Sequence, residues 1–236
     1  MNPFGALLDL FIPRVCHVCG CKLVAQEEFI CTDCIAKLPV TGYQRYWLNT
    51  SSPNSDLNPM EQRFAGQLPL LRACSPYFYS RDSVVSHLVH DFKYRGFSRL
   101  AERMGYLGAL TLKDSTLFDG VDLLLPVPLH WRKKLRRGYN QSEMIARGIS
   151  LATGIPLGTN LVACRSHRTQ TSLSAAQRIA NTRGVFVLRH PETLRGKNVM
   201  LVDDICTTGA TLLSAGEAVA ASQPDIRISI FTLGVV

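Results

Sequence analysis

The stretch from Val199 to Thr211 places the strongest constraint on how this 236-residue chain can fold. It reads VMLVDDICTTGAT, so an apolar run leads to two adjacent acids, Asp203 and Asp204, and then to a hydroxyl-rich turn with one glycine. The apolar run predicts a buried strand over 198–202, and the turn then begins a helix. Backbone N–H groups at such a turn, with the helix dipole behind them, favour a phosphate monoester. The pattern predicts a phosphate site between a strand and a helix.

Two other phosphate-binding loops do not fit this sequence. The tripeptide Gly196-Lys197-Asn198 lacks the hydroxyl residue of a P-loop, and no G-x-G-x-x-G follows a predicted strand. Because two carboxylates would repel a phosphate, the acids must serve another group. A ribose with its 2- and 3-hydroxyls, or a magnesium ion held through water, resolves that conflict.

From about residue 68 the chain alternates between predicted strands and helices. The predicted strands are 68–79 (one or two strands, or a hairpin), 121–127, 161–164, 184–188, 198–202 and 226–233. The predicted helices begin at Asp82 or Ser83 and run to residue 93, then cover 98–112, 140–152 and 210–221. This alternation predicts an α/β fold with a parallel sheet covered on both faces, whose ligands bind at the carboxyl ends of the strands.

A cysteine array near the start predicts a structural metal site. Its C-x2-C-x11-C-x2-C spacing suits tetrahedral zinc, and the expected ligands are Cys16, Cys19, Cys31 and Cys34. Four protein ligands leave no open position, so the metal would stabilise a small ribbon rather than perform chemistry. Cys21 competes with Cys19 for the site, whereas Cys74 and Cys164 are expected to be core thiols. The expected organisation is a zinc module over 1–40, a linker or loop over 41–67 and the α/β domain over 68–236.

The 199–211 stretch resembles the phosphoribosyl pyrophosphate (PRPP) motif of the type I phosphoribosyltransferases. The resemblance implies that Asp203 and Asp204 bind the ribose hydroxyls and that Mg²⁺ accompanies PRPP. It also implies that the following loop holds the 5-phosphate through Thr207, Thr208, Gly209, Ala210 and Thr211. Some relatives bind this ligand without transferring it, so the motif leaves catalysis open.

A narrower resemblance, to the ComF/GntX family, covers nearly the whole chain. It is carried by the cysteine pairs, by FKYRG at 92–96, by VPLH at 127–130 and RGYNQ at 137–141, and by RTQT at 168–171. It implies a type I phosphoribosyltransferase-like domain with an N-terminal zinc ribbon. It also implies a cytoplasmic protein of natural competence or DNA utilisation, acting on or beside incoming single-stranded DNA.

The chain carries a net charge of +8, and all of the positive surplus lies within 80–236. Five cations are concentrated in one short stretch: Arg132, Lys133, Lys134, Arg136 and Arg137. Three interpretations stay open: they grip pyrophosphate, they contact a nucleic-acid backbone beside Trp131 and Tyr139 as stacking faces, or they form a solvated surface.

Other segments carry weaker expectations. Residues 166–174 fall where the resembled transferases have a mobile hood, and 1–13 are expected to form an amphipathic helix without a signal peptide. Without an export signal the cysteines are expected to be reduced, and no apolar run is long enough for a membrane span. Neither His130 nor His167 has an evident partner, and neither is expected to be catalytic.

Two functions therefore stay open. The first is a PRPP- or ribose-phosphate-binding protein of DNA uptake or utilisation, with PRPP or a nucleotide, single-stranded DNA and other DNA-uptake or processing proteins as partners. The second is an active phosphoribosyltransferase of nucleotide salvage with no direct DNA role. The acceptor base has no recognisable binding segment in the sequence.

Overall fold

A computed structural model of the protein describes residues 13–48, 57–164, 184–222 and 225–236. The described helices are α1 (Thr32–Ala36), α2 (Arg45–Leu48), α3 (Pro59–Gln62), α4 (Val84–Tyr94), α5 (Ser98–Thr111), α6 (Trp131–Arg137), α7 (Gln141–Thr153) and α8 (Ala210–Ser222). The strands are β1 (Leu70–Cys74), β2 (Tyr77–Phe78), β3 (Leu123–Pro126), β4 (Leu161–Ala163), β5 (Phe186–Leu188), β6 (Asn198–Cys206) and β7 (Arg227–Val235), and a 3-10 turn spans Pro191–Leu194.

The core is a parallel sheet in the order β1-β7-β6-β3, with β2 also paired to β7. The two central strands, β6 and β7, are buried along nearly their whole length, so their apolar runs face helices on both sides. The predicted α/β fold with a parallel sheet is thus confirmed. β4 and β5 form a separate antiparallel pair.

Two helices on one face approach each other closely enough to require glycine. A Cβ at Gly105 in α5 would lie 2.2 Å from the Ile145 carbonyl oxygen, and one at Gly148 in α7 would lie 1.9 Å from the Glu102 carbonyl oxygen. The backbones of α5 and α7 therefore pack directly against each other. This contact holds α7, whose first turn reaches the carboxyl edge of the sheet, in a fixed position.

Most predicted elements lie where the sequence placed them, and their caps explain why. Ser83 caps α4 by accepting a hydrogen bond from the Ser86 N–H, and Asn140 caps α7 by accepting one from the Ser142 N–H. Gly154, in a left-handed conformation, ends α7.

Several details differ from the sequence-based expectation. The helix α6 is not among the predicted elements, and β4 and β5 pair antiparallel rather than joining the parallel sheet. Residues 68–79 do not form a hairpin, because β1 and β2 both run parallel to β7 with Pro76 between them. β6 continues past residue 202 to Cys206, because its pairing with β7 persists beyond the two acids.

The segment 41–67 contains local structure in its described part. Asn58 caps α3 and donates a hydrogen bond from Nδ2 to the Ala73 carbonyl at 2.8 Å, while Met60 and Phe64 are fully buried. The end of this segment thus packs on the sheet. The predicted boundary at residue 68, between a linker and the α/β domain, stays a prediction. Two expectations concern residues that the structure does not describe. One is the helix over 1–13, of which only residue 13 is described, and the other is the hood over 166–174, which includes His167.

Candidate ribose-phosphate site

Asp203 and Asp204 lie near the carboxyl end of β6, beyond the last residue that pairs with β3. Both side chains are nearly buried. Asp203 Oδ1 accepts hydrogen bonds from the Ser142 hydroxyl and from the Asp204 N–H, each at 2.8 Å. Asp204 Oδ2 lies 2.8 Å from Lys93 Nζ, and its Oδ1 accepts from the Ile205 N–H. Two helices, α4 and α7, therefore supply the partners that hold the acids in place.

The electrostatics of the acid pair follow from burial and proximity. Burial and the neighbouring Asp204 raise the pKa of Asp203 to about 7. Burial alone would lower the pKa of Lys93, but the charges of Asp204 and Asp203 outweigh it, and the pKa of Lys93 is raised. A buried carboxylate pair held by one ammonium group has acceptor capacity left for hydroxyl donors such as those of a ribose.

The loop after β6 has the geometry expected of a phosphate cradle. Thr207 and Thr208 are exposed, and Gly209 adopts a φ of +79° just before α8 begins. A Cβ at Gly209 would also lie 3.0 Å from the Phe64 ring, so the position needs glycine for two reasons. With Ala210 and Thr211, these residues bring backbone N–H groups and hydroxyls to the start of α8.

One residue that supports this loop is absent from the sequence-based site. Arg63 donates from Nη1 to the Thr207 carbonyl and from Nη2 to the Val236 carbonyl at 2.6 Å. It thereby ties the loop to the last strand of the sheet. No sequence signal marks it, because it lies 144 positions from Thr207 in a segment with few periodic features.

The five clustered cations form the short helix α6, directly after β3, and burial separates them into two groups. Lys133 and Arg137 are half-buried, and the charge of each interacts electrostatically with the charge of Lys93. Burial and then the charge of Arg137 lower the pKa of Lys133. The other three are exposed: Arg132, Lys134 and Arg136. The sequence-predicted cluster therefore divides into a half-buried pair, one helical turn apart, and three exposed cations.

Aromatic contacts fix the orientation of α6. The Arg137 guanidinium lies 5.6 Å from the centre of the Tyr94 ring and donates to the Gln141 amide oxygen. Trp131 is 61% exposed, with Arg132 5.2 Å from the centre of its ring. His130 caps the helix by accepting from the Arg132 N–H.

The cysteine cluster forms a compact metal-binding geometry. The sulfur atoms within 4.8 Å of one another belong to Cys16, Cys19, Cys21 and Cys31. Cys19 Sγ and Cys31 Sγ are 3.7 Å apart, close to the separation of about 3.8 Å between two ligands of tetrahedral zinc at 2.3 Å. The donor set fits a structural zinc ion, whose chemistry is to stabilise the module.

Five thiols compete for the four positions. Cys34, predicted as a ligand, is buried, interacts with Cys31, Cys19 and Cys16, and has a raised pKa because of burial. The N–H and thiol of Cys21 lower the pKa of Cys19 to about 6, which favours its thiolate. The choice between Cys21 and Cys34 stays open, and the predicted set stays a prediction. Of the two expected core thiols, Cys74 is buried and Cys164 is exposed, so the expectation for Cys164 is wrong.

Comparison with known proteins agrees with this geometry. The phosphoribosyl transferase domain family matches residues 135–233, which include α7, β6, the loop after β6 and α8. Together with the parallel sheet and the acid pair, this match defines a phosphoribosyltransferase-like α/β domain preceded by a cysteine module.

Three curated relatives are similar to this chain over more than half of its length. Competence protein F of Haemophilus influenzae is 33% identical over 133 residues, which cover 54% of this chain and 58% of that protein. DNA utilization protein YhgH of Salmonella typhimurium is 28% identical over 86% of this chain and 89% of its own length. Competence protein ComFC of Bacillus subtilis is 25% identical over 93% of this chain and 83% of its own. The names of these relatives, together with the matched phosphoribosyl transferase domain, support membership of the ComF family.

No described helix has both the length and the hydropathy that crossing a bilayer requires.

Proposed function

We propose that this chain binds PRPP or a related ribose phosphate and acts in the uptake or utilisation of external DNA, where it handles single-stranded DNA. The ribose-phosphate part of this proposal rests on one observation. The acid pair of β6 is followed by a loop in which Gly209 has a positive φ angle, immediately before α8 begins. The DNA half is supported by the competence and DNA utilisation names of its relatives.

Asp203 and Asp204 would accept hydrogen bonds from the ribose hydroxyls, which requires Asp204 to share or exchange its contact with Lys93. The loop 207–211 would bind the 5-phosphate. Lys133 and Arg137 would bind the pyrophosphate, since both are half-buried on one side of α6 and each interacts electrostatically with Lys93. Mg²⁺ bound with PRPP would offset the charge of its pyrophosphate.

Single-stranded DNA would follow the exposed side of α6. Arg132 and Arg136 offer phosphate contacts, and the exposed Trp131 offers a face for base stacking. The zinc ion would hold the cysteine module, and the protein would act in the cytoplasm, alone or with other DNA-uptake proteins.

The alternative is an active phosphoribosyltransferase of nucleotide salvage without a DNA role, and it is supported by the matched domain. Two assays separate the proposals. One measures pyrophosphate release from PRPP with purine bases, pyrimidine bases or single-stranded DNA. The other measures the affinity for a labelled oligonucleotide between 50 and 200 mM salt.

Oligonucleotide binding that weakens steeply with salt, together with PRPP binding, supports the DNA-handling proposal. Pyrophosphate release with a free base and no oligonucleotide binding at 50 mM salt contradicts it and supports the salvage enzyme.

A further inference from the structure

A cavity lies between the cysteine module and the helices α4 and α5. Its volume is about 560 Å³, within the range of about 300–1,000 Å³ that small-molecule sites occupy. None of its lining residues belongs to the acid pair, to the phosphate loop or to α6. It is therefore separate from the site proposed for the ribose phosphate.

Aromatic rings form one wall of this cavity. His17 lies between two phenylalanines: its ring centre is 4.6 Å from that of Phe97, at 85°, and 5.8 Å from that of Phe29. Phe97 keeps 37% of its surface exposed although it caps α5, so part of its ring is available to a ligand. Leu23 and Val15 add apolar surface. A flat aromatic ligand fits such a wall.

A buried polar group faces the same space. Asp91 is 8% exposed, accepts a hydrogen bond from His17 Nδ1 at 2.9 Å, and lies 3.1 Å from Arg95 Nη1. A carboxylate can accept more than two hydrogen bonds, so Asp91 can also accept from amino or imino groups on the edge of a heterocycle. Such a polar edge beside an aromatic wall distinguishes a nucleobase from a purely apolar ligand.

Three guanidinium groups, those of Arg14, Arg95 and Arg99, line the cavity together with two carboxylates, Asp91 and Glu28. The pair of Arg99 with Glu28 is 3.8 Å apart and well exposed, so it contributes little and Arg99 can turn to a stronger anion. Arg95 is 64% exposed in its side chain and can bind an anion while it contacts Asp91. Guanidinium groups at the mouth of an aromatic cavity suit a phosphate.

We propose that this cavity binds a nucleotide, with the base against Phe97 and Asp91 and the phosphate on Arg95 and Arg99. The nucleotide has two sources with the same chemistry: a free mononucleotide, or one residue of a single strand. The inference does not depend on PRPP binding.

The test measures the affinity of the full chain for dAMP and dTMP by calorimetry and for fluorescein-labelled dT12 by anisotropy. Phe97→Ala removes the stacking face, Phe97→Leu keeps the apolar contact with His17, and Arg99→Ala removes a phosphate donor. Arg227→Ala is the matched control, because Arg227 is an exposed arginine at the amino end of β7. Ribose 5-phosphate affinity, measured in each variant, reports on the separate site.

We expect Phe97→Ala and Phe97→Leu to weaken nucleotide binding about tenfold or more, and Arg99→Ala to weaken it severalfold, with Arg227→Ala unchanged. If the variants lose affinity for dT12 and also for the mononucleotides, a free nucleotide is sufficient as the ligand. If they lose affinity for dT12 alone, the ligand is a residue of a single strand. Ribose 5-phosphate affinity should stay constant.

Binding by the wild type that neither Phe97 variant alters would overturn the proposal, as would the absence of binding to all three ligands. A second measurement applies if Phe97→Ala does not fold. Photocrosslinking of an oligonucleotide with 5-iodouracil should label the peptide that contains Phe97 or Phe29, and labelling confined to 131–139 contradicts the proposed site.

Discussion

The Lys93 ammonium lies 2.8 Å from the Asp204 carboxylate, although both side chains are largely withdrawn from water. This pair joins the end of α4 to β6, and Asp203 beside it is held by Ser142 from α7. A buried ion pair is expensive to desolvate and contributes little net stability, whereas removal of one partner costs about 3–5 kcal/mol. The arrangement therefore positions acceptor oxygens at the expense of stability, as functional sites commonly do.

Deprotonation of Asp203 should lower the free energy of unfolding as the pH rises. Its folded-state pKa is raised to about 7 by burial and by Asp204, against about 3.9 in the unfolded chain. Between these values the folded state holds a proton that the unfolded state has lost, so the stability contributed by protonated Asp203 falls from pH 4 to 7.

Urea unfolding at pH 5 and pH 8 tests this sign. The wild type should lose more stability over that interval than Asp203→Asn, by about 2.6 kcal/mol. Asp225→Asn, at an exposed acid, should behave like the wild type. Equal losses in the wild type and Asp203→Asn would contradict the assigned shift.

Gly209→Ala should weaken ribose 5-phosphate binding. Both Gly209 and Gly154 have φ angles near +80°, so alanine costs about 1–2 kcal/mol of stability at either position. Only at Gly209 does the new Cβ approach the Phe64 ring, at 3.0 Å, whereas Gly154 has nothing within 4 Å.

Calorimetry with ribose 5-phosphate separates the two effects. Gly154→Ala should lose stability and keep its affinity, and Gly209→Ala should lose affinity about tenfold as well. If the two variants had equal affinities, the loop would not be the phosphate site.

The two surfaces of α6 should separate pyrophosphate binding from DNA binding. The double variant Lys133→Ala and Arg137→Ala removes the half-buried cations. Its free energy of pyrophosphate binding should weaken by about 1.5–3 kcal/mol for each charged hydrogen bond that is lost. Arg132→Ala with Arg136→Ala removes exposed cations and should lower the salt slope for single-stranded DNA by about 1.4.

Each double variant serves as the control for the other. Pyrophosphate affinity is measured by calorimetry, and oligonucleotide affinity by anisotropy over a salt series. Identical effects of the two variants on both ligands would show that α6 acts as one solvated surface.

Zinc binding should depend on Cys34 more than on Cys21. Cys31 and Cys34 form a C-x2-C turn in which the Cys34 N–H donates to the Cys31 carbonyl, as suits two ligands of one metal. We expect one zinc per chain in the wild type and in Cys21→Ser, and loss of zinc from Cys34→Ser. Elemental analysis after dialysis against a chelator measures this.

Limited proteolysis gives the structural consequence. Cys34→Ser should expose residues 14–38 to cleavage while the sheet domain stays resistant. Zinc kept by Cys34→Ser and lost by Cys21→Ser would replace the predicted ligand set with Cys16, Cys19, Cys21 and Cys31, the four closest thiols.

The sequence predicts this fold well because its signals are local. The caps Ser83 and Asn140, the apolar run of β6 and the glycine of its loop all act within a few residues. The same local signals place Asp203 and Asp204 at the carboxyl edge of the sheet.

Contacts between distant segments could not be predicted in this way. Arg63 reaches Thr207 from a segment that lacks periodicity, and Ser142 meets Asp203 through the placement of α7, which packs on α5 at two glycines. The division of the α6 cations by burial likewise depends on where α6 rests against Tyr94. Tertiary packing decides all three.

The most direct test of the account is calorimetric titration of the full chain with PRPP and Mg²⁺, in the wild type and in Asp204→Asn. Asp204→Asn removes the charge that faces Lys93 and an acceptor for the ribose, while ribose-free pyrophosphate serves as the control ligand. The account predicts that the wild type binds PRPP and that Asp204→Asn binds it at least tenfold more weakly, with pyrophosphate affinity little changed. Absence of PRPP binding by the wild type, or equal PRPP affinity in both proteins, would contradict it.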